Sequence, residues 1–154
     1  MAIAEHSSVV GLPPNELFQF LYQDGAWERG IPPEMVAERL EDGPFREGTV
    51  IRWRIAWKGF QFTWAIVLEA IRTPDRVEIR QKLGVFNFWS MTQTLEDHGN
   101  GSTLIKDIVE YEMPLGLFGR LADDLIIRRE VRKLMESRHE KLRILVEKKK
   151  QNVT

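Results

Sequence analysis

Residues 49–68 read TVIRWRIAWKGFQFTWAIVL, and in the first half of this stretch large apolar side chains occupy every second position from Ile51 to Trp57. Trp53 would lie on one face and Arg54 on the other, which is the two-residue period of a half-buried β-strand. Lys58-Gly59 is a signal for a tight hairpin. The alternation resumes after it and puts Trp64 on the face of Trp53. The stretch therefore predicts two antiparallel strands that share an aromatic face.

Further strands flank this hairpin on both sides. Alternating segments predict strands around residues 77–82, 89–95 and 105–112, and residues 3–10 can form a first strand. A run of turn residues over 97–101 separates the last two. Consecutive strands joined by short turns favour an antiparallel meander with one solvated face.

Helices are predicted at three places. Residues 16–22 suit a short helix capped by Asn15, and Pro32-Pro33 suits the start of a second one over residues 33–41. Apolar side chains then recur every three or four residues from Leu117 to Lys148, which predicts a long helix of about 45 Å. Residues 146–154 are expected to form a frayed tail.

These elements define an α+β fold class and a single domain over residues 1–154. We expect a curved antiparallel sheet of six or seven strands wrapped around the long C-terminal helix, with two short helices after the first strand. A single helix lying across a curved sheet cannot fill the concave side alone. Either bulky side chains close that gap or a cavity remains there.

The composition excludes several classes of function. The chain has 154 residues, a net charge of −1 and no cysteine, so disulfides and thiolate chemistry are absent, and no charge excess favours nucleic acid as a partner. No apolar run approaches the length of a membrane-spanning helix, so no stable membrane insertion is expected. There is no signal-peptide pattern and no nucleotide-binding glycine motif, and no histidine spacing suits a metal. We expect a cytoplasmic protein without a cofactor or metal.

A motif over residues 81–116 resembles a known superfamily. Gln81-x-x-Gly84-x-x-x-x-Trp89 is followed by Asp107-x-x-x-Tyr111-x-x-Pro114-x-Gly116. This pattern resembles bacterial members of the START-related and polyketide cyclase/dehydratase superfamily (SRPBCC), which share the helix-grip fold of Bet v 1-like proteins. The resemblance implies a hydrophobic ligand cavity between the sheet and the C-terminal helix. It does not imply one function, because the superfamily includes carriers, receptors and cyclases.

The chain departs from the superfamily pattern next to the tryptophan. Members often carry histidines two and four residues beyond it, where this chain has Met91 and Gln93. The residue after the motif glycine is often proline, and here it is Val85. The missing histidines weaken an acid–base role and favour a binding protein over an enzyme.

The alternation predicts which side chains face the concave side. Polar groups at four inward positions would orient a ligand in an otherwise apolar pocket, or they would form a structural network in which Asp107 bonds to Tyr111, an arginine or a backbone amide. A buried carboxylate needs such partners. The predicted ligand-binding residues are Trp53, Trp64, Gln81, Trp89, Met91, Gln93, Asp107 and Tyr111, and none is assigned a catalytic role.

Three hypotheses about function follow. The first is binding or transport of a lipid-like or aromatic polyketide-like molecule, which would be the protein's small-molecule partner. The second is a cyclase/dehydratase-type enzyme that uses Asp107 and Tyr111 as acid–base residues. The third is a protein-interaction module. Of the histidines, only His6 is expected to face inward, whereas His139 lies in a charged run and is predicted on a solvated helix face. The oligomeric state stays open.

Overall fold

The computed structural model describes residues 1–41, 43–113 and 122–152. These residues contain seven strands and three α-helices. In chain order the elements are β1 (Ala2–Val10), α1 (Pro14–Phe18), α2 (Ala26–Arg29), β2 (Met35–Arg39), β3 (Val50–Trp57), β4 (Phe60–Arg72), β5 (Arg76–Leu83), β6 (Phe88–Gly99), β7 (Ser102–Glu112) and α3 (Ala122–Asn152). A π-helical turn, Gln19–Gln23, continues α1.

The seven strands form one antiparallel sheet in the order β1-β7-β6-β5-β4-β3-β2. Strands β2 to β7 follow one another as a meander, and β1 returns to pair with β7, where His6 lies opposite Asp107. The pairing of β4 with β5 shifts register twice, at Ala65/Ile66 and at Leu68/Ala70. Such irregularities increase the local twist and bend a strand. They help to give the sheet a concave face.

The hairpin predicted from residues 49–68 is confirmed. Lys58 and Gly59 both have positive φ angles, 49° and 81°, as the favoured two-residue hairpin turn requires. The register then places Trp53 opposite Trp64. The turn chemistry and the side-chain alternation therefore bring these two indoles together on the concave face.

The second short helix lies earlier in the chain than the sequence predicted. Residues 35–39 form strand β2, which pairs with β3, and the short helix is α2 at Ala26–Arg29. The two prolines suited the start of a strand as well as that of a helix. Pairing satisfies the free backbone groups along the edge of β3, and this tertiary gain outweighs the local helix propensity of 33–41.

The first helix also begins differently from the prediction. It starts at Pro14, with Pro13 in the cap position, and no side chain caps it. Asn15 therefore lies inside the first turn and is not the cap. Proline suits this position, because the first helical N–H groups have no partner within the helix.

Helix α3 packs its apolar stripe against the concave face. The stripe includes Val131, Met135, Leu142 and Val146, all of them buried. The helix runs to Asn152, further than the predicted end at 148, and Val146, where a frayed tail was expected to begin, is only 1% exposed. The predicted helix start at 117–121 lies outside the described residues.

The C-terminal turns of α3 offer a direct test of this packing. Val146→Ala should lower the free energy of unfolding by about 1–3 kcal/mol, because it leaves a void in the core. Ile144→Ala is the matched control, since Ile144 is 45% exposed and its loss should change stability by less than about 0.5 kcal/mol. Urea unfolding measures both. Equal effects of the two variants would mean that the last turns do not pack on the sheet.

Candidate functional site

A cavity of about 150 Å³ lies between the concave face of the sheet and α3. Its wall is mostly apolar and aromatic, and helix α2 and the start of β2 contribute to one side. The lining residues are Trp27, Ile31, Pro32, Met35, Trp53, Ile55, Phe62, Trp64, Gln81, Val85, Phe86, Trp89, Met91, Asp107, Val109, Val131, Leu134, Met135 and Arg138. The predicted gap between helix and sheet is therefore only partly filled by side chains.

Four indoles form a continuous row along this wall. The ring centroids of Trp27 and Trp53 are 5.7 Å apart, those of Trp53 and Trp64 are 5.6 Å apart, and those of Trp64 and Trp89 are 5.1 Å apart. The last pair meets edge to face, as aromatic quadrupoles favour. Three of these residues were predicted to share the concave face. Trp27 was not, because it lies in a turn-rich segment without periodicity.

Asp107 is the centre of a buried hydrogen-bond network at one side of the cavity. Its Oδ1 accepts a hydrogen bond from Gln93 Nε2 at 2.8 Å, and its Oδ2 lies 2.8 Å from His139 Nε2. Gln93 Oε1 in turn accepts a hydrogen bond from the Tyr22 hydroxyl. Burial, and then the negative charge of Asp107, raise the pKa of Tyr22, so its hydroxyl keeps the proton that it donates.

His139 joins this network to the first strand. Its Nδ1 lies 2.7 Å from Ser8 Oγ, so one tautomer accepts from the serine while its Nε2–H donates to Asp107. The ring of His6 packs edge-on at 4.6 Å. Burial, followed by the nearby His139, lowers the pKa of His6, and this favours the neutral ring. The inward orientation predicted for His6 is thus confirmed.

The prediction for His139 was wrong. The side chain is 3% exposed, not solvated. The apolar stripe of α3 gives the signal that was missed, because 139 is four residues after Met135 and three before Leu142. Its charged sequence neighbours conceal that it completes the stripe.

Arg138 is the cation that lines the cavity from α3. Its guanidinium carbon lies 4.2 Å from the ring centroid of Trp27, and one nitrogen donates to the Trp27 carbonyl at 3.1 Å. Burial lowers the pKa of Arg138, and the negative charge of Asp107 opposes this shift. This residue was also missed by the sequence analysis, because it lies in the same charged run as His139.

Gln81 and Gly84, the first two positions of the motif over residues 81–116, pack against each other at the cavity wall. Gln81 Nε2 donates to the Phe86 carbonyl at 2.7 Å, which orients the amide, and the amide then fills the space above Gly84. A Cβ added at Gly84 would clash with that amide and would lie 2.7 Å from Trp64 Cδ1. Glycine at 84 thus allows the glutamine and the indole to pack together at the cavity wall.

The structure brings most of the predicted site together. Six of the predicted residues line the cavity, namely Trp53, Trp64, Gln81, Trp89, Met91 and Asp107. The other two, Gln93 and Tyr111, are buried but are not among the lining residues of that cavity. Gln93 supports Asp107 instead, and the Tyr111 ring packs against Phe86 at 5.6 Å. That the eight residues bind a ligand remains a prediction.

The cross-strand register accounts for the second half of the motif. Trp89 pairs with Tyr111, and Gln93 pairs with Asp107, in the ladder of β6 and β7. Residues four apart on each strand therefore face the same side at matching heights. The motif positions 114 and 116 lie outside the described residues.

No group of three or more histidine and acidic side chains among the described residues is arranged to hold a metal ion. None of the helices in the described ranges is long and apolar enough to cross a membrane.

Comparison with solved structures identifies the fold. A START superfamily protein from Mycobacterium smegmatis superimposes with a TM-score of 0.73 and 13% identity, over 95% of this chain and 97% of the other. Ara h 8.0201 superimposes with a TM-score of 0.68 and 19% identity, over 94% of this chain and 97% of the other. The helix-grip fold predicted from the motif, with its curved sheet and long C-terminal helix, is confirmed.

A third similar structure is the di-domain ARO/CYC BexL from the BE-7585A biosynthetic pathway. It matches with a TM-score of 0.69 and 23% identity, over 96% of this chain but only 47% of BexL. This chain therefore spans about half of that protein. The resemblance to the START-related and cyclase superfamily holds at the level of the fold. Models of protein families and sequences of curated proteins give no match.

The buried network predicts how Asp107→Asn behaves. The amide would present a donor at one of the two positions where the carboxylate accepts from Gln93 and His139, and Arg138 would lose the attraction of the Asp107 charge. We expect the free energy of unfolding to fall by about 2–4 kcal/mol. Asp75→Asn is the control, since Asp75 is exposed in a turn. Unchanged stability of Asp107→Asn by chemical denaturation would show that Asp107 is not a structural centre.

The packing above Gly84 predicts a second effect. Gly84→Ala should destabilise the protein by about 1–3 kcal/mol, because either Gln81 or Trp64 must move. Gly43→Ala is the matched control, as the nearest heavy atom to its added Cβ is 3.9 Å away. Denaturation curves and tryptophan emission spectra report the two consequences. If Gly84→Ala matches the control in both, the tight packing at this end of the wall is refuted.

Proposed function

We propose that this protein binds a compact, ring-containing hydrophobic molecule in the cavity between the sheet and α3. The observation that carries the proposal is an open volume of about 150 Å³ beside a row of indoles, between the sheet and α3. Protein interiors rarely keep such voids without a use, since an empty apolar volume forfeits packing energy. A carrier or sensor in the cytoplasm would fit the chain, which has no cysteine.

The size of the cavity restricts the ligand. An apolar cavity of roughly 150 Å³ accommodates a single benzene-sized ring, whereas pockets for larger ligands measure about 300–1,000 Å³. Transport of a long-chain lipid therefore has less support than binding of a small aromatic molecule. The flat indole faces favour an aromatic ring, which stacks against them.

The enzyme alternative has weaker support. Both carboxylate oxygens of Asp107 already have hydrogen-bond partners, and Tyr111 is absent from the lining of the described cavity. A cyclase/dehydratase reaction would need both groups to reach the substrate. The interaction-module alternative rests on exposed side chains such as Phe60, and single exposed apolar residues are common on protein surfaces.

The proposal is tested by a substitution that places a larger side chain inside the cavity. Val109 lines it, while the neighbouring Ile108 points to the other face of β7. Val109→Phe should abolish binding of toluene-sized aromatic probes without loss of folding, because the added ring occupies the open volume. Ile108→Phe should bind as the wild type does. Probe binding is followed by tryptophan fluorescence and by the rise in melting temperature that a ligand specific to the folded state causes.

Native mass spectrometry of the purified protein supplies an independent readout. A small apolar species that co-purifies with the wild type and is lost from Val109→Phe supports the proposal. Wild-type protein that is empty and shows no saturable response to one-ring or two-ring aromatic probes contradicts it.

A further inference from the structure

Two charged side chains line the described cavity, Asp107 and Arg138, and they differ in how far their hydrogen-bonding capacity is used. Each oxygen of Asp107 has a close partner. Arg138 donates one hydrogen bond, to the Trp27 carbonyl. A guanidinium has five N–H groups, so most of the donors of Arg138 are not taken up by protein acceptors in the described part of the chain.

The charge of Arg138 is also only partly compensated. No carboxylate of the described residues forms an ion pair with it within 4.0 Å. The negative charge of Asp107 attracts it from further away, but burial outweighs this attraction and lowers the pKa of Arg138. Two of its described neighbours are neutral, since Tyr22 keeps its proton and the Trp27 ring stacks on the guanidinium. Arg138 is half-buried at the cavity wall, and a partly desolvated cation of this kind gains from an incoming anion.

Arg138 lies at the Trp27 end of the row of indoles. It stacks on Trp27, which adjoins Trp53, which adjoins Trp64. An acidic group held by the guanidinium would therefore place an attached ring along the row of indoles. Arginine binds carboxylates through two parallel hydrogen bonds, which fixes the orientation of the bound group.

We propose that the ligand is a small aromatic carboxylate, with its acid group on Arg138 and its single ring against Trp53 and Trp64. This inference rests on the proposed function, because it names the chemical class that the same cavity takes. Asp107 opposes an anion from one side of the site. The hydrogen bonds that Gln93 and His139 donate to the Asp107 carboxylate partly offset its negative charge, which limits that repulsion.

The experiment compares three probes with the same number of non-hydrogen atoms and the same branching. Phenylacetate, phenylacetamide and isobutylbenzene carry the same ring and differ in the terminal group, which is an anion, a neutral amide or a hydrocarbon. Isothermal titration at neutral pH should show that wild-type protein binds phenylacetate at least about tenfold more tightly than phenylacetamide, as charge-assisted hydrogen bonds are stronger than neutral ones.

Variants of Arg138 then test whether this residue causes the preference for phenylacetate. Arg138→Met should remove the preference for the acid and leave the binding of isobutylbenzene unchanged or stronger. Arg138→Lys should keep part of it, since the charge remains without the planar fork. Arg143→Met is the matched control on the same helix, because Arg143 is exposed and pairs with the exposed Glu140. It should bind all three probes as the wild type does.

The outcomes separate this inference from the proposed function. If isobutylbenzene binds and Val109→Phe abolishes it, but the wild type shows no preference for phenylacetate, the cavity binds ligands and the acid specificity is refuted. A preference that survives in Arg138→Met also refutes it. If none of the three probes binds, this inference fails, and if toluene-sized and two-ring aromatic probes do not bind either, the proposed function fails with it. The wild-type comparison decides the matter even if Arg138→Met does not fold.

Discussion

The pair of hydrogen bonds at His139 is the interaction on which the arrangement of helix and sheet depends. One ring nitrogen meets Asp107 on β7 and the other meets Ser8 on β1. Through Gln93 and Tyr22 the same network reaches β6 and the turn after α1. His139 of α3 is thus held directly by groups on β7 and β1, and indirectly by groups on β6 and in the π-helical turn. Removing any of these partners leaves a buried polar group unsatisfied, which costs more than the bond itself contributes.

This network determines where the open space lies. It anchors α3 at position 139, and the large indoles hold the sheet and helix apart on the adjoining side. Trp53 and Trp64 are fixed to each other by the register of their hairpin, so neither turns easily to fill the gap. The cavity therefore results from two neighbouring features, the hydrogen bonds that hold His139 and the packed indoles. It lies between the Asp107–His139 network and the row of indoles.

The sequence predicted the sheet well because alternation is a local property. The period of two residues, the Lys58-Gly59 turn and the shared face of Trp53 and Trp64 can all be read within twenty residues. The placement of 33–41 was wrong because its state depends on a distant partner, the edge of β3. Local propensity carries no information about that edge.

The candidate site was predicted in part for the same reason. Side chains on the strands, such as Asp107 and Met91, were assigned to the correct face by alternation. Contributions from other elements were not, because Trp27 lies on a short helix without periodicity, and Arg138 lies among charged neighbours on α3. Its partner Trp27 is 111 residues away in the chain. Only the packed structure shows that a cation of the long helix meets the aromatic wall.

The most direct measurement of the central claim is a crystal structure of the protein soaked with bromobenzene, recorded at the bromine absorption edge. An anomalous peak in the space bounded by Trp53, Trp64 and Met135 is the result that a functional cavity predicts. A structure in which these side chains close upon one another, with no bromine between them, would contradict it.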